Sequence, residues 1–177
     1  MDTGESYYRR YLDGDEGAFD GVLTLYYDNL TFFLNRFVRD LSTAEDLAMD
    51  AFLELLIHPE RYRFGTSLKT YLFAIGRNKA RNYLKKHRRI LPLEARRDGA
   101  VGGPEEGYLT AERRNEVATA IAKLPVEMRS AIHLVYFEEM SYEDAARVMK
   151  KSRKQIDNLL TRAKKALKAT LHREVIL

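Results

Sequence analysis

Residues 141–167 read SYEDAARVMKKSRKQIDNLLTRAKKAL. Ser141-x-x-Asp144 has the form of a helix start, in which a Ser hydroxyl accepts from the backbone N–H three residues on and an acid sits in the first turn. Lys150-Lys151-Ser152 is a three-residue turn, and Ser152-x-x-Gln155 is a second helix start. Two helices joined this way make a helix-turn-helix. On the second helix Ile156, Leu159, Leu160, Ala163 and Leu167 fall on one side, the spacing that packs against preceding helices. Lys154, Asn158, Thr161 and Lys165 point the other way, flanked by Asp157 and Arg162. These types suit a major groove: Asn pairs with adenine, Asp accepts from cytosine, and Lys and Arg take guanine or phosphate. A solvated basic helix carries the same charges, so the rest of the chain decides between the two readings.

Working upstream, helices are expected over 111–124, 126–137, 142–149 and 153–171, with Pro125, Ser141 and Ser152 marking the breaks. Before them LPLEARRDGAVGGPEEGYL holds two prolines, four glycines and no sustained period, the composition of a linker. Further upstream, Ser67 is positioned to cap a long helix reaching about Arg89, and Ser42-x-x-Glu45 has the form of a capping box opening a helix that Pro59 closes. Val22, Leu23, Tyr26, Leu30, Phe33, Leu34 and Phe37 fit one helical hairpin or two successive helices. Alternation of the β type is nowhere sustained. The expected fold is all-α, with two small helical domains (1–89 and 111–177) joined by a flexible linker (90–110), the second a four-helix domain with the helix-turn-helix.

The 177 residues are 45% hydrophobic and 32% charged, which fits soluble globular domains and excludes bulk disorder. No run is long and apolar enough for membrane insertion, and MDTGESYYRRYLDGDE is too polar for a signal peptide, so a cytoplasmic location is expected. The absence of cysteine excludes disulfides, thiolate zinc sites and cysteine nucleophiles. The net charge of +4 hides a segregation. Through Glu60, thirteen acids face Arg9, Arg10, Arg36 and Arg39 alone; from Arg61 to Arg97, twelve Lys or Arg stand with Glu94 as the one acid. Residues 147–173 form a second basic block interrupted by Asp157. Two basic stretches imply two contacts with a polyanion, and an acidic lobe implies a basic partner.

The first basic stretch has its own chemistry. RYRFGTSLKTY interleaves Tyr62, Phe64 and Tyr71 with Arg61, Arg63 and Lys69. Aromatic faces stack on unpaired bases while cations follow the backbone, a mixture suited to single strands. Phe64-Gly65-Thr66-Ser67 is the candidate loop for catching an extruded base, a step that costs a few kcal/mol of unstacking. On the following helix Leu68, Leu72, Ile75 and Tyr83 share one face, Arg77, Arg81 and Lys85 are expected on the other, and Asn78 and Asn82 sit at the boundary. Core aromatics with a solvated basic face would give the same pattern.

In the acidic lobe Asp46, Asp50, Glu54 and His58 recur every four residues. As metal ligands they lack a companion cluster, so no metal or other cofactor is expected. Leu53 and Ile57 share their side while Ala48, Phe52, Leu55 and Leu56 supply the core, and an acidic face with embedded aliphatics suits docking to a basic protein.

The chain resembles the extracytoplasmic-function group of the sigma-70 family of RNA polymerase sigma factors. The resemblance rests on DGDEGAFDGVLTLYYDNL, TAEDLAMDAFLELL, SLKTYLFAIGRNKARNYLKK, and LPVEMRSAIHLVYFEEMSYEDAARVM followed by QIDNLLTRAKKAL, in that order. It implies a non-enzymatic specificity subunit with core RNA polymerase, promoter DNA and an anti-sigma factor as partners. The first domain would bind the polymerase clamp through Asp46, Asp50, Leu53, Glu54 and Ile57. Arg61, Arg63, Phe64, Lys69, Tyr71, Arg77, Asn78, Arg81, Asn82 and Lys85 would read and open the minus-ten element. The second domain would bind the polymerase flap and place Arg153, Lys154, Asp157, Asn158, Thr161, Arg162 and Lys165 in the minus-thirty-five element. Three departures stand out. Lys150-Lys151 replaces the usual Gly and apolar residue, so that Lys150 either turns left-handed or lengthens the turn. Asp157-Asn158-Leu159 stands where small and basic residues are frequent, and Tyr71 occupies the neighbourhood of a frequent tryptophan. The rival readings are a stand-alone helix-turn-helix regulator and a metal nuclease built on Asp46, Asp50 and Glu54.

Overall fold

The computed structural model describes residues 3–88 and 111–174. The expected linker, residues 90–110, lies outside the described residues, and with it the domain boundaries. The described secondary structure is helical throughout, and its helices form two compact units. None of these helices is long and apolar enough to cross a membrane.

The first unit holds α1 (Thr3–Leu12), α2 (Phe19–Val38), α3 (Leu41–Ile57) and α4 (Leu68–Arg88). The apolar repeat of 19–38 makes one uninterrupted helix, α2, which buries Phe19, Val22, Tyr26, Leu30, Phe33, Leu34 and Phe37. It ends on Arg39, which takes a left-handed conformation (φ 53°) and donates its N–H to the Asn35 carbonyl at 2.9 Å. The next residue, Asp40, is extended and accepts from the Thr43 N–H at 2.9 Å, so Asp40 caps α3. This corrects the expected capping box: Ser42 lies inside the first turn, because the chain reverses within Arg39-Asp40 and the helix starts two residues earlier. Bonds from Thr43 hold the Asp40 carboxyl below the usual carboxylate range. Helix α4 crosses α2 closely at Gly76, where a Cβ would lie 2.9 Å from Leu30 Cδ1, so this position admits no side chain without displacing the core.

Helix α1 was not expected. Its anchor is Tyr8, fully buried, whose hydroxyl donates to the Leu55 carbonyl of α3 at 3.0 Å. Burial pushes that hydroxyl up to about 12. The Tyr8 ring meets Phe19 and Tyr62, with centroids 6.5 Å and 5.9 Å away.

The second unit holds α5 (Ala111–Ala122), α6 (Val126–Ile132), α7 (Tyr142–Met149) and α8 (Arg153–Glu174). The helix expected over 126–137 changes pitch: His133–Phe137 is a wide turn closed by the Glu138 N–H bonding the His133 carbonyl at 3.0 Å. Within it His133 Nε2 and Glu138 Oε1 stand 3.1 Å apart, both buried. The buried Arg129 donates to the Ala122 carbonyl at 2.8 Å, satisfying a terminal acceptor of α5. Leu124, Met128, Leu134, Val148, Met149, Ile156, Leu160 and Ala163 form the core.

Candidate nucleic-acid and partner interfaces

The helix-turn-helix is built by two caps and one left-handed residue. The Asp144 N–H donates to Ser141 Oγ at 3.1 Å, opening α7. Lys150 ends it at φ 52°, ψ 47°, and the Lys151 N–H reaches back to the Ala146 carbonyl at 2.9 Å, a 6→1 closure of the last turn. Of the two options open to Lys150, the left-handed one is taken. Ser152 and Gln155 then bond reciprocally: the Gln155 N–H donates to Ser152 Oγ at 3.2 Å, and the Ser152 N–H to Gln155 Oε1 at 2.8 Å. Ile156, Leu160 and Ala163 bury the inner side of α8, which leaves Arg153, Lys154, Asp157, Asn158, Thr161, Arg162 and Lys165 exposed. Asn158 and Arg162 line a shallow depression with Lys151, Gln155 and Leu159. Three nearby cations are engaged within the fold: Arg153 Nε pairs with Glu143 at 3.2 Å, Lys151 pairs with Glu127 at 3.2 Å, and Lys164 lies over the Tyr136 ring at 5.3 Å.

On α3, Ala44, Ala48, Ala51, Phe52 and Leu55 face the core. The opposite side exposes Asp46 and Asp50 among Leu41 (50% exposed), Met49 (42%), Leu53 (43%) and Ile57 (66%). Exposed apolar groups at i, i+4 and i+8, with carboxylates between them, make a face that can bury area against a partner and select a basic one. Glu54 stands at its edge and is turned inward. It accepts from Lys79 Nζ of α4 at 2.9 Å and meets Arg61 NH1 at 3.4 Å, and the Lys79 bond is the main cause holding its carboxyl below the usual range. His58 lies 3.4 Å from Glu60. The repeat of four therefore splits between an exposed face and an internal clasp. Lys79 was missed because its partner is on another helix, invisible to spacing along one.

Between α3 and α4 the chain makes a turn at Pro59–Arg61 and then the aromatic loop. Tyr62 is buried and donates to the Thr66 carbonyl at 2.7 Å, closing the loop on itself. Phe64 sits at φ 55°, with its ring 4.6 Å from Tyr62, and the Tyr71 ring lies 5.0 Å from Tyr62. Ser67 caps α4 as expected, accepting from the Thr70 N–H at 3.1 Å. Arg61 and Arg63 are exposed, and Lys69 and Tyr71 are half-buried beside them. On α4, Arg81, Asn82 and Lys85 are exposed and Asn78 is half-buried. Arg77 corrects the expected stripe: it is 2% exposed, inside the unit with Phe73 and Ala80. Steps of four advance about 40° beyond a full turn, so two steps carry position 85 some 80° around the helix from position 77. Arg77 is a core residue, and the exposed basic face begins at Arg81.

These parts make a helical protein with, on one unit, a capped helix-turn-helix whose second helix exposes polar and basic side chains and, on the other, an exposed acidic–apolar face beside a basic, aromatic loop. Comparison with known proteins agrees. The sigma-70 region 2 model matches residues 22–90 and the sigma-70 region 4 model matches residues 114–167. The chain belongs to the sigma-70 family, in its extracytoplasmic-function (ECF) group. It is 28% identical over 161 residues to the ECF RNA polymerase sigma factor SigM of Bacillus subtilis, covering 88% of this chain and 96% of that one. It is 29% identical over 170 residues to the RNA polymerase sigma-H factor of Pseudomonas aeruginosa, covering 89% and 88%. The sigma factor RpoE of Bartonella quintana, solved in complex with the anti-sigma factor NepR, superposes with a TM-score of 0.70 at 26% identity, covering 87% of this chain and 96% of that one.

Proposed function

We infer that this chain directs core RNA polymerase to specific promoters and takes part in opening them. The carrying observation is the succession along one chain of an exposed acidic–apolar face, a basic aromatic loop and a capped recognition helix, in the order of the two matched family models. Asp46, Asp50, Leu53 and Ile57 dock the polymerase, with Glu54 bracing that face from behind. The loop and the face from Arg81 to Lys85 take the minus-ten strand, and α8 reads the minus-thirty-five element. Catalysis belongs to the polymerase; the chain contributes recognition and strand capture, in the cytoplasm where polymerase works. An anti-sigma protein competing for the α3 face is the regulator that fits its exposed apolar groups.

The test is transcription in vitro from fragmented genomic DNA with core polymerase, with and without the chain, followed by sequencing of new RNA starts. New starts sharing two upstream motifs are expected. Absence of new starts together with tight duplex binding in the same buffer overturns the reading in favour of a stand-alone regulator.

A further inference from the structure

The aromatic loop has a second wall. The guanidinium of Arg9, on α1, lies over the Phe64 ring with Cζ 3.8 Å from its centroid. Phe64 is thus covered by a cation on one side and met by Tyr62 at 4.6 Å on another. The placement of α1 is fixed rather than incidental: its neighbour in sequence, Tyr8, is fully buried, bonds the Leu55 carbonyl and packs on Tyr62, the residue that closes the loop. Arg9 itself is held lightly. Its exposed side chain is tethered by Glu5 one turn back at 3.0 Å, an i,i+4 pair of the weak surface kind.

We propose that Arg9 is a base-sandwiching residue of the strand-capture site: an unpaired base enters between Phe64 and the Arg9 guanidinium, which lifts to form the second face of the stack. The inference rests on the reading of residues 61–67 as the capture loop and adds α1 to that site. A guanidinium is planar, charged and weakly hydrated, so it stacks on a base as it stacks on the phenyl ring, and its N–H groups remain free at the edge for a phosphate. Phe64, at its left-handed φ, presents the ring to α1, and the base replaces the ring as the surface Arg9 covers. Glu5 orients Arg9 before the strand arrives and gives it up to the nucleic acid.

The full chain bound to core polymerase is tested on forked DNA from a promoter it uses, the unpaired arm carrying either a base or an abasic site at the captured position. Arg9→Ala is expected to weaken binding of the base-bearing arm about fivefold, the scale of one exposed cation–π contact, and to leave the abasic arm unaffected. Arg9→Lys should lose as much, because an ammonium has no flat face. Phe64→Ala should lose at least as much, with Arg9→Ala adding nothing in that background. Equal loss on both arms, full activity of Arg9→Lys, or no effect of Arg9→Ala beside a clear effect of Phe64→Ala overturns the sandwich and leaves the capture loop standing. No effect of Phe64→Ala overturns the reading of the loop itself. Unchanged thermal unfolding of each variant separates these outcomes from misfolding.

Discussion

Lys79 Nζ stands 2.9 Å from Glu54 Oε2, clasping α4 to the edge of the exposed acidic–apolar face of α3. Both side chains are less than a third exposed, so the pair is screened less than a surface bridge and ties α3 to α4 at this edge.

Glu54→Gln removes this clasp. Because the folded carboxyl titrates below its ordinary value of 4.5, its contribution is whole above that value and is lost as pH falls through the lowered one. At pH 7 the variant should be less stable by about 0.5–1 kcal/mol, roughly 3–5 °C in Tm. The two proteins should converge in acid below the lowered value. Thermal unfolding from pH 7 to pH 3 measures it; a constant difference across that range would show that the amide merely packs badly.

Asp50→Lys should do the reverse. Asp50 is exposed on α3, so reversing its charge leaves unfolding within about 0.5 kcal/mol of the parent. It should cost at least tenfold in affinity for core polymerase, measured by competition with the unmodified chain. Unchanged affinity would sink the assignment of the docking face.

How much of this was legible in the sequence depended on whether partners lay near one another along the chain. The helix-turn-helix was readable because each cap bonds within three residues: Ser141 with Asp144, and Ser152 with Gln155. Ser42-x-x-Glu45 has the same form and misled, since Asp40 carries a competing acceptor at the sharper reversal. The inward turn of Glu54 to Lys79 and the burial of Tyr8 against Leu55 join different helices, and local spacing holds no record of either. Arg77 misled for another reason: steps of four look like one face over one turn but not over two.

Arg77 and Arg81 should therefore separate in their effects. Arg77→Ala empties the space of one of the largest fully buried side chains and should destabilise the fold by about 3 kcal/mol. Arg81→Ala should leave stability unchanged and reduce the salt dependence of forked-DNA binding by roughly one single-strand phosphate contact, about 0.7 in the log–log slope. Denaturant unfolding paired with a salt titration reads both. A stable Arg77→Ala variant that loses DNA binding would restore the original stripe.

Asn158→Ala tests direct readout on α8. Asn158 is exposed beside Arg162, and a bidentate contact to adenine is worth about 1–3 kcal/mol at one position. Selective loss of preference at a single base of the upstream motif is expected in a promoter-library assay. A uniform loss across sequences would mean that the side chain serves the phosphate backbone.

The turn between α7 and α8 offers a test of strain. Lys150 is exposed, yet it holds φ 52° and ψ 47° so that the Lys151 N–H can close the end of α7. A side chain in that region costs roughly 1 kcal/mol that glycine avoids, partly offset by the greater freedom of glycine in the unfolded chain. Lys150→Gly should thus stabilise the protein by about 0.5 kcal/mol or more, whereas Lys150→Ala, which removes the same charge and keeps the Cβ, should not. Chemical unfolding of the two variants at equal salt decides it. If both gain equally, relief of repulsion with Lys151 and Arg153 is the cause, and the left-handed turn is not the strained element of the motif.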